Sequence, residues 1–251
     1  YNHRIMRLLI IILSVSLLSC GEKDKTIATQ TNEQPVVETI DKTIAEALVN
    51  DIPAGKEAVL STIYGDMTIL LYDETPLHQE NFIKLVNESF YDDLIFHRVI
   101  NFFMIQGGDP ASRGASADTR LGGGGPGYSV PAEFNPKFVH KKGALAAART
   151  NNPKKESSGS QFYIVHGKKQ NDADVNSIEA RIAQKNPGFK YTEAQRAELI
   201  QNGGTPFLDM DYTVFGEVIS GLQVIDSIAK VATLSGDRPL VDVRMSIKMS
   251  K

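Results

Sequence analysis

The feature that most constrains this chain is a short apolar segment that contains one arginine and ends in a glutamine and two glycines. Residues 96–109 read FHRVINFFMIQGGD, and their β-branched and aromatic side chains predict a buried β-strand. A guanidinium inside such a segment costs free energy unless its donors find partners. Arg98 must therefore either close a structural ion pair or face a bound ligand.

Four further segments combine strand residues with turn residues in fixed patterns. They are GPGY at 125–128, PAEF at 131–134, GSQFYI at 159–164 and FLDMDYTVFG at 207–216. In this order after FHRVINFFMIQGGD, they resemble the signature segments of the cyclophilins, the peptidyl-prolyl cis-trans isomerases. The resemblance covers roughly residues 57–251.

The resemblance implies a mainly β fold, namely an eight-stranded antiparallel closed β-barrel with an α-helix over each end and an active groove on the barrel wall. The residue pattern agrees, because many strand segments and two flanking helices suggest a closed sheet. Helical spacing predicts helices at 76–88 and 221–230. Alternation predicts a hairpin over 57–72, with its turn at Gly65–Asp66.

The activity that the resemblance implies is rotation about an X-Pro peptide bond, against a barrier of about 18–20 kcal/mol. No bond is broken, so no cofactor and no metal is expected. In the twisted state the prolyl nitrogen becomes pyramidal and regains a lone pair, which a fixed cationic donor stabilises selectively. The resemblance assigns three catalytic residues: Arg98 as the donor, Gln106 to orient it, and Phe103 in the proline pocket.

The resemblance assigns a larger set of residues to substrate binding. It comprises His97, Met104, Ala148, Arg149, Gln161, Phe162, Phe207, Leu208 and Tyr212. For the apolar members the alternative is an ordinary place in the core, and for His97 it is a structural role. Phe207 stands where many eukaryotic members have tryptophan, and the missing indole N–H predicts weak cyclosporin binding. Tyr212 replaces a common histidine.

One segment, residues 167–205, is longer than its counterpart in small cyclophilins. Helical spacing predicts one helix at 174–185 and a second at 192–201, the latter begun by a capping box of Thr192 and Gln195. This helical insertion either packs beside the groove or forms a decorated loop without a role, and both interpretations stay open.

The N-terminal part of the chain is predicted to lie outside the isomerase domain. An apolar run at 8–18 follows Arg7 and is shorter than the ~20 residues of a bilayer-spanning helix, which predicts a signal peptide. Residues 17–20 resemble the lipobox of bacterial lipoproteins, which implies acylation of Cys20; the alternative is an ordinary secretory signal with an incidental cysteine. The predicted order is a signal peptide at 1–19, a lipidated N-terminus and spacer at 20–54, and the isomerase domain at 55–251.

The charge balance argues against one class of partner. With 27 Lys+Arg against 30 Asp+Glu the formal net charge is -3, whereas a nucleic-acid-binding chain would show a basic face. The expected partners of this protein, taken as a monomer, are proline-containing polypeptides and a lipid bilayer reached through Cys20. Gly21 lacks the aspartate that often retains lipoproteins at the inner membrane, which favours the periplasmic face of the outer membrane and leaves surface display open. The alternative function is a non-catalytic chaperone module that binds proline-containing chains.

Overall fold

The computed structural model describes residues 53–250, and most of its strands form one curled antiparallel sheet. The strands are β1 (Gly55–Thr62), β2 (Gly65–Tyr72), β3 (Leu94–Ile95), β4 (Arg98–Ile100), β5 (Met104–Gly107), β6 (Ser129–Val130), β7 (Ala144–Ala147), β8 (Ser157–Ser158), β9 (Phe162–Val165), β10 (Val214–Ser220) and β11 (Arg244–Met249). The helices are α1 (Pro76–Asn87), α2 (Asp172–Lys185), α3 (Glu193–Gln201) and α4 (Leu222–Ala229), with 3₁₀ turns at Pro110–Ser112 and Pro206–Leu208.

The predicted mainly β class is confirmed, although eight strands and full closure are approximations. Nine strands pair in the order β3-β11-β1-β2-β10-β7-β9-β5-β4, and among the described strands no ladder joins the two ends β3 and β4. Both end strands are very short, and backbone groups in or next to them bond to the segment before β11. Phe96 N donates to Val243 O at 3.0 Å, and Val99 N donates to Asp237 O at 2.8 Å. The sheet therefore curls into a half-barrel.

Strands β1 and β2 form the predicted hairpin with a shifted turn. The register pairs Thr62 with Gly65, so the turn residues are Ile63 and Tyr64 and the predicted turn at Gly65–Asp66 lies two residues too late. Gly65 has a φ of +122°, which a residue with a side chain rarely adopts. This glycine allows β2 to begin immediately after the turn.

The predicted helices at 76–88 and 221–230 are present as α1 and α4, and both pack against the concave face of the sheet. Phe82 of α1 and Ile225 of α4 are buried in one cluster with Leu60 and Phe162 of the sheet. Burial of an apolar side chain of this size stabilises a fold by about 1.5–3 kcal/mol. The main core therefore lies inside the curl, and the convex face is left for other contacts.

The two predicted helices of the insertion are present as α2 and α3, with the predicted capping box at the start of α3. They have a small core of their own, in which Val175 and Leu199 are fully buried. Arg181 of α2 donates to the carbonyl of Phe207 at 3.2 Å. The insertion therefore packs against the 3₁₀ turn at Pro206–Leu208.

Between residues 53 and 250, no helix combines the length and the hydrophobicity needed to cross a bilayer. The predicted signal peptide, Cys20 and the spacer up to residue 52 lie outside the described residues.

Candidate active site

Three neighbouring strands place a row of side chains on the convex face of the sheet. Arg98 on β4 is paired with Gln106 on β5, and Gln106 is paired with Tyr163 on β9. Residues directly opposed in antiparallel strands point to the same face and contact each other. Their neighbours Val99 and Ile105 point the other way, into the main core. Strand alternation therefore separates the candidate site from the core.

A cavity of about 170 Å³ lies beside this row of side chains. It is lined by Arg98, Phe103, Met104, Gln106, Ala148, Arg149, Tyr163, Leu208 and Tyr212. The apolar members belong to a hydrophobic cluster that is distinct from the main core. The arrangement is a small apolar notch with a guanidinium and an amide at its edge, and it has room for a pyrrolidine ring.

The guanidinium of Arg98 is held by one contact and is otherwise open. Its Nε lies 3.4 Å from Oδ2 of Asp237, and the two side chains are 42% and 43% exposed. Its terminal nitrogens have no partner among residues 53–250. An ion pair this exposed contributes at most about 1 kcal/mol to stability. The pair therefore orients Arg98, and the terminal nitrogens are free to donate to a ligand.

Gln106 is oriented by a second glutamine rather than by Arg98. Its Nε2 donates to Oε1 of Gln161 at 3.1 Å. Gln161 is buried, and its own Nε2 donates to the carbonyls of Gly122 and Gly124 at 3.0 and 2.7 Å. The glycine loop thereby fixes Gln161, and Gln161 fixes Gln106. Gln106 is predicted to orient Arg98. The structure shows no direct hydrogen bond between these two side chains, although the pairing of β4 with β5 places them side by side.

Arg149 supports the opposite wall of the cavity. Its Nε donates to the carbonyl of Asp211 at 3.0 Å, and its guanidinium lies 4.5 Å above the ring of Tyr212. Because the planar guanidinium stacks on the ring, it contributes packing as well as charge. Arg149 therefore holds the position of Tyr212 in the cavity wall.

A second and larger cavity of about 640 Å³ continues from the first. The two share Gln106, Ala148 and Arg149, and the second is bounded by the glycine loop at 122–125 and by Glu156. An extended peptide seated in the first cavity could therefore continue along the surface into the second.

Phe162 does not line either cavity, and its predicted place in the proline pocket is wrong. It is 1% exposed and packs in the main core, with its ring edge against Tyr91 at a centroid distance of 5.6 Å. Side chains alternate along a strand, so Phe162 and Ile164 face the core while Tyr163 faces the cavity. The same alternation could have identified Tyr163 from the sequence, since Gln161 and Tyr163 must share a face.

His97 is also placed differently from the prediction that it contacts substrate. It is 5% exposed and faces a separate cavity of about 430 Å³ between the segments 117–121 and 234–238. Among the described residues its ring nitrogens have no hydrogen-bond partner. Burial, with help from the charges of Arg98 and Arg238, lowers the pKa of His97 from 6.5 to about 4, although Asp109 opposes the shift. His97 is therefore neutral at physiological pH.

Two predicted binding residues border the cavity without lining it. Phe207 is 44% exposed and stacks on Phe103 with the ring centroids 5.8 Å apart. Gln161 lies behind Gln106, in the wall of the larger cavity. Asp237, the partner of Arg98, was not predicted, because it lies 139 positions away and no local pattern marks it.

The curled antiparallel sheet, the helices and the notch beside Arg98 define a class, the mainly β domains built on a barrel-like sheet. The model of the family described as "Cyclophilin type peptidyl-prolyl cis-trans isomerase/CLD" matches residues 58–249. The chain belongs to this cyclophilin-type peptidyl-prolyl cis-trans isomerase family.

Relatives and solved structures agree with this assignment. A Staphylococcus haemolyticus protein provisionally named a peptidyl-prolyl cis-trans isomerase is 36% identical over 188 residues, which is 74% of this chain and 87% of that protein. A Streptococcus pyogenes protein provisionally named a bifunctional phosphatase and peptidyl-prolyl cis-trans isomerase is 37% identical over 192 residues, which is 75% of this chain and 37% of that protein. A Cryptosporidium parvum cyclophilin structure superimposes with a TM-score of 0.58 at 22% identity, over 79% of this chain and 99% of that one.

Proposed function

We propose that this protein catalyses cis-trans isomerisation of X-Pro peptide bonds, with Arg98 as the donor to the prolyl nitrogen. The observation that carries the proposal is the pair of free terminal nitrogens of Arg98 at the edge of an apolar cavity of about 170 Å³. An arginine stays charged and presents several donors in one plane, so it can meet a lone pair that appears only when the amide is twisted. A donor that meets only the twisted state lowers the barrier.

The energy required exceeds what one hydrogen bond supplies. A millionfold acceleration needs about 8 kcal/mol, whereas a hydrogen bond to a charged group contributes about 1.5–3 kcal/mol. The remainder is assigned to the apolar wall of Phe103, Met104 and Leu208, which holds the proline ring while the preceding carbonyl rotates. Gln106, fixed by Gln161, presents its free amide oxygen or second N–H to the peptide backbone.

The test is a protease-coupled assay on an X-Pro peptide. Arg98→Ala is expected to lower kcat/KM by about 100- to 1000-fold, as removal of one preorganised donor does in other enzymes. Arg98→Lys keeps the charge but not the planar fork, so its kcat/KM is expected to lie between those of the unaltered protein and Arg98→Ala. Arg244→Ala is the matched control, because Arg244 is an exposed arginine of β11 that does not line the cavity.

The possible outcomes separate the two functions considered. Undiminished turnover by Arg98→Ala would reject the mechanism. Inactivity of the unaltered protein, with proline-peptide binding retained, would favour the non-catalytic chaperone module. A loss of kcat/KM in Arg98→Ala, with the kcat/KM of Arg244→Ala unchanged, supports the isomerase.

We further propose that the protein acts as a monomer in the cell envelope, anchored through acylated Cys20 on the periplasmic face of the outer membrane. The support is the apolar run at 8–18 followed by the lipobox-like residues 17–20. Its partners would be proline-containing polypeptides outside the cytoplasm. Mass spectrometry of the mature N-terminus tests the anchor: a diacylglycerol thioether on Cys20 is expected, and an unmodified cysteine would refute it.

A further inference from the structure

Four buried polar side chains form a continuous hydrogen-bonded chain from the helical insertion to the wall of the cavity. They are Tyr191, Asp209, His140 and Tyr163, and their exposures are 2%, 3%, 0% and 5%. Buried polar groups are costly when they are left unpaired, so a chain of four needs every contact to be made. We call these four residues the insertion brace.

The distances in the insertion brace are short at each step. The hydroxyl of Tyr191 donates to Oδ2 of Asp209 at 2.6 Å. Oδ1 of Asp209 lies 2.6 Å from Nδ1 of His140 and also accepts from the backbone N–H of His140 at 2.7 Å. Nε2 of His140 lies 3.0 Å from the hydroxyl of Tyr163.

When His140 is neutral, only one assignment of hydrogen-bond donors and acceptors satisfies every contact of the insertion brace. The carboxylate of Asp209 can only accept, so Nδ1 of His140 carries the proton and Nε2 is left as an acceptor. The hydroxyl of Tyr163 must then donate to Nε2. Burial, followed by the nearby Tyr212 and Asp209, raises the pKa of Tyr163 well above 10, which keeps this hydroxyl protonated.

The two ends of the insertion brace lie in different parts of the molecule. Tyr191 lies between α2 and α3, where it packs in the small core of the insertion. Tyr163 lines the cavity with its ring while its hydroxyl is directed away to His140. Asp209 directly follows Leu208, another cavity residue, so the brace reaches the cavity at both Tyr163 and Leu208.

We propose that the insertion brace positions the Tyr163 ring and the Leu208 wall for prolyl isomerisation, so that the insertion at 167–205 is a working part of the active site. The residues of the brace are positioning residues, since only the Tyr163 ring faces the cavity. This inference rests on the proposed isomerase function. It gives the insertion a role that the sequence left open between packing beside the groove and a decorated loop.

The test compares Tyr191→Phe, Tyr163→Phe and the double variant. Each single change removes one hydroxyl and keeps the ring, and Tyr191 itself does not line the cavity. Each single variant is expected to lose about tenfold in kcat/KM, because misplacement by a fraction of an ångström lowers turnover on this scale. The double variant is expected to lose no more than the worse single variant, since either change interrupts the same chain.

A matched control separates positioning from stability. Leu199→Ala opens a cavity in the small core that also holds Tyr191, but it removes none of the four hydrogen-bonding groups of the brace. At a temperature where all variants are folded, it is expected to keep near-native kcat/KM despite a lowered Tm. Three results would each overturn the inference. They are a native kcat/KM in Tyr191→Phe, additive losses of kcat/KM in the double variant, and a loss of kcat/KM in Leu199→Ala that follows its fall in Tm in the same proportion as in the tyrosine variants.

A measurement on the peptide-free protein keeps the inference distinct from the isomerase proposal. In proton NMR, the Nδ1 proton of His140 is expected as a downfield resonance, and Tyr191→Phe is expected to shift both it and the ring resonances of Tyr163. If the protein proved inactive, these shifts would still show that the insertion positions Tyr163. Unshifted Tyr163 resonances in Tyr191→Phe would overturn the inference whatever the activity.

Discussion

The buried imidazole of His97 makes the stability of this protein depend on pH in a defined window. Burial lowers the pKa of His97 from 6.5 in the unfolded chain to about 4 in the folded one. Between pH 6.5 and pH 4 the unfolded chain therefore binds a proton on His97, whereas the folded chain does not. The stabilisation is therefore fully present above pH 6.5 and is lost as the pH falls through 4, because the unfolded state binds more protons there.

The magnitude follows from the size of the pKa shift. Each unit of pKa difference corresponds to about 1.36 kcal/mol, so the free energy of unfolding is expected to fall by about 3 kcal/mol between pH 7 and pH 4 through this one residue. Solvent screening reduces the value little, since the side chain is 5% exposed. A loss of this size is a large fraction of the stability of an ordinary domain.

The assay is urea unfolding at a series of pH values, with His97→Leu as the comparison. The variant removes the titrating imidazole of His97 and keeps every other histidine and carboxylate of the chain. The two curves are expected to diverge by about 3 kcal/mol from pH 7 to pH 4 whatever their offset at neutral pH. Parallel curves over this range would refute the assignment of His97 as a buried neutral residue.

Two further predictions concern aromatic residues that were assigned to substrate binding. Phe162→Ala is expected to lower the free energy of unfolding by about 3–5 kcal/mol in denaturant titrations, because Phe162 belongs to the main core; a stable variant with a raised KM would instead return Phe162 to the peptide site. Phe207→Trp is expected to strengthen cyclosporin binding by about tenfold in calorimetry, since an added indole N–H supplies one hydrogen bond of about 1 kcal/mol or more; unchanged affinity would refute the prediction that an indole donor at this position governs cyclosporin binding.

The local parts of the fold were predictable because local patterns determine them. Alternation located the β1–β2 hairpin, and its turn was misplaced only because Gly65 opens the second strand instead of forming the turn. The capping box at Thr192 fixed the start of α3. The number of strands in the sheet is less predictable, since β3 and β4 are too short to show a period and β3 pairs with the distant strand β11.

The candidate site was predictable to the extent that its residues lie within recognisable segments. Arg98, Phe103, Met104 and Gln106 come from one such segment and line one cavity. The contacts that position them could not be foreseen. The Arg98–Asp237 pair and the insertion brace join residues that are far apart in the chain, and nothing in the local sequence around Asp237 or Tyr191 indicates a partner.

The position of Arg98 resolves the conflict that the sequence poses between a charge and an apolar segment. Alternation sends Val99 into the core and Arg98 to the convex face, so the guanidinium keeps contact with water and its charge is not desolvated in the free protein. A bound peptide would displace that water from a site whose other side chains are mostly apolar. Electrostatic interactions strengthen as the local dielectric constant falls, so Arg98 would act most strongly only when the twisted amide is beside it. An arginine buried from the start would have incurred the desolvation cost on folding and gained nothing at the moment of rotation.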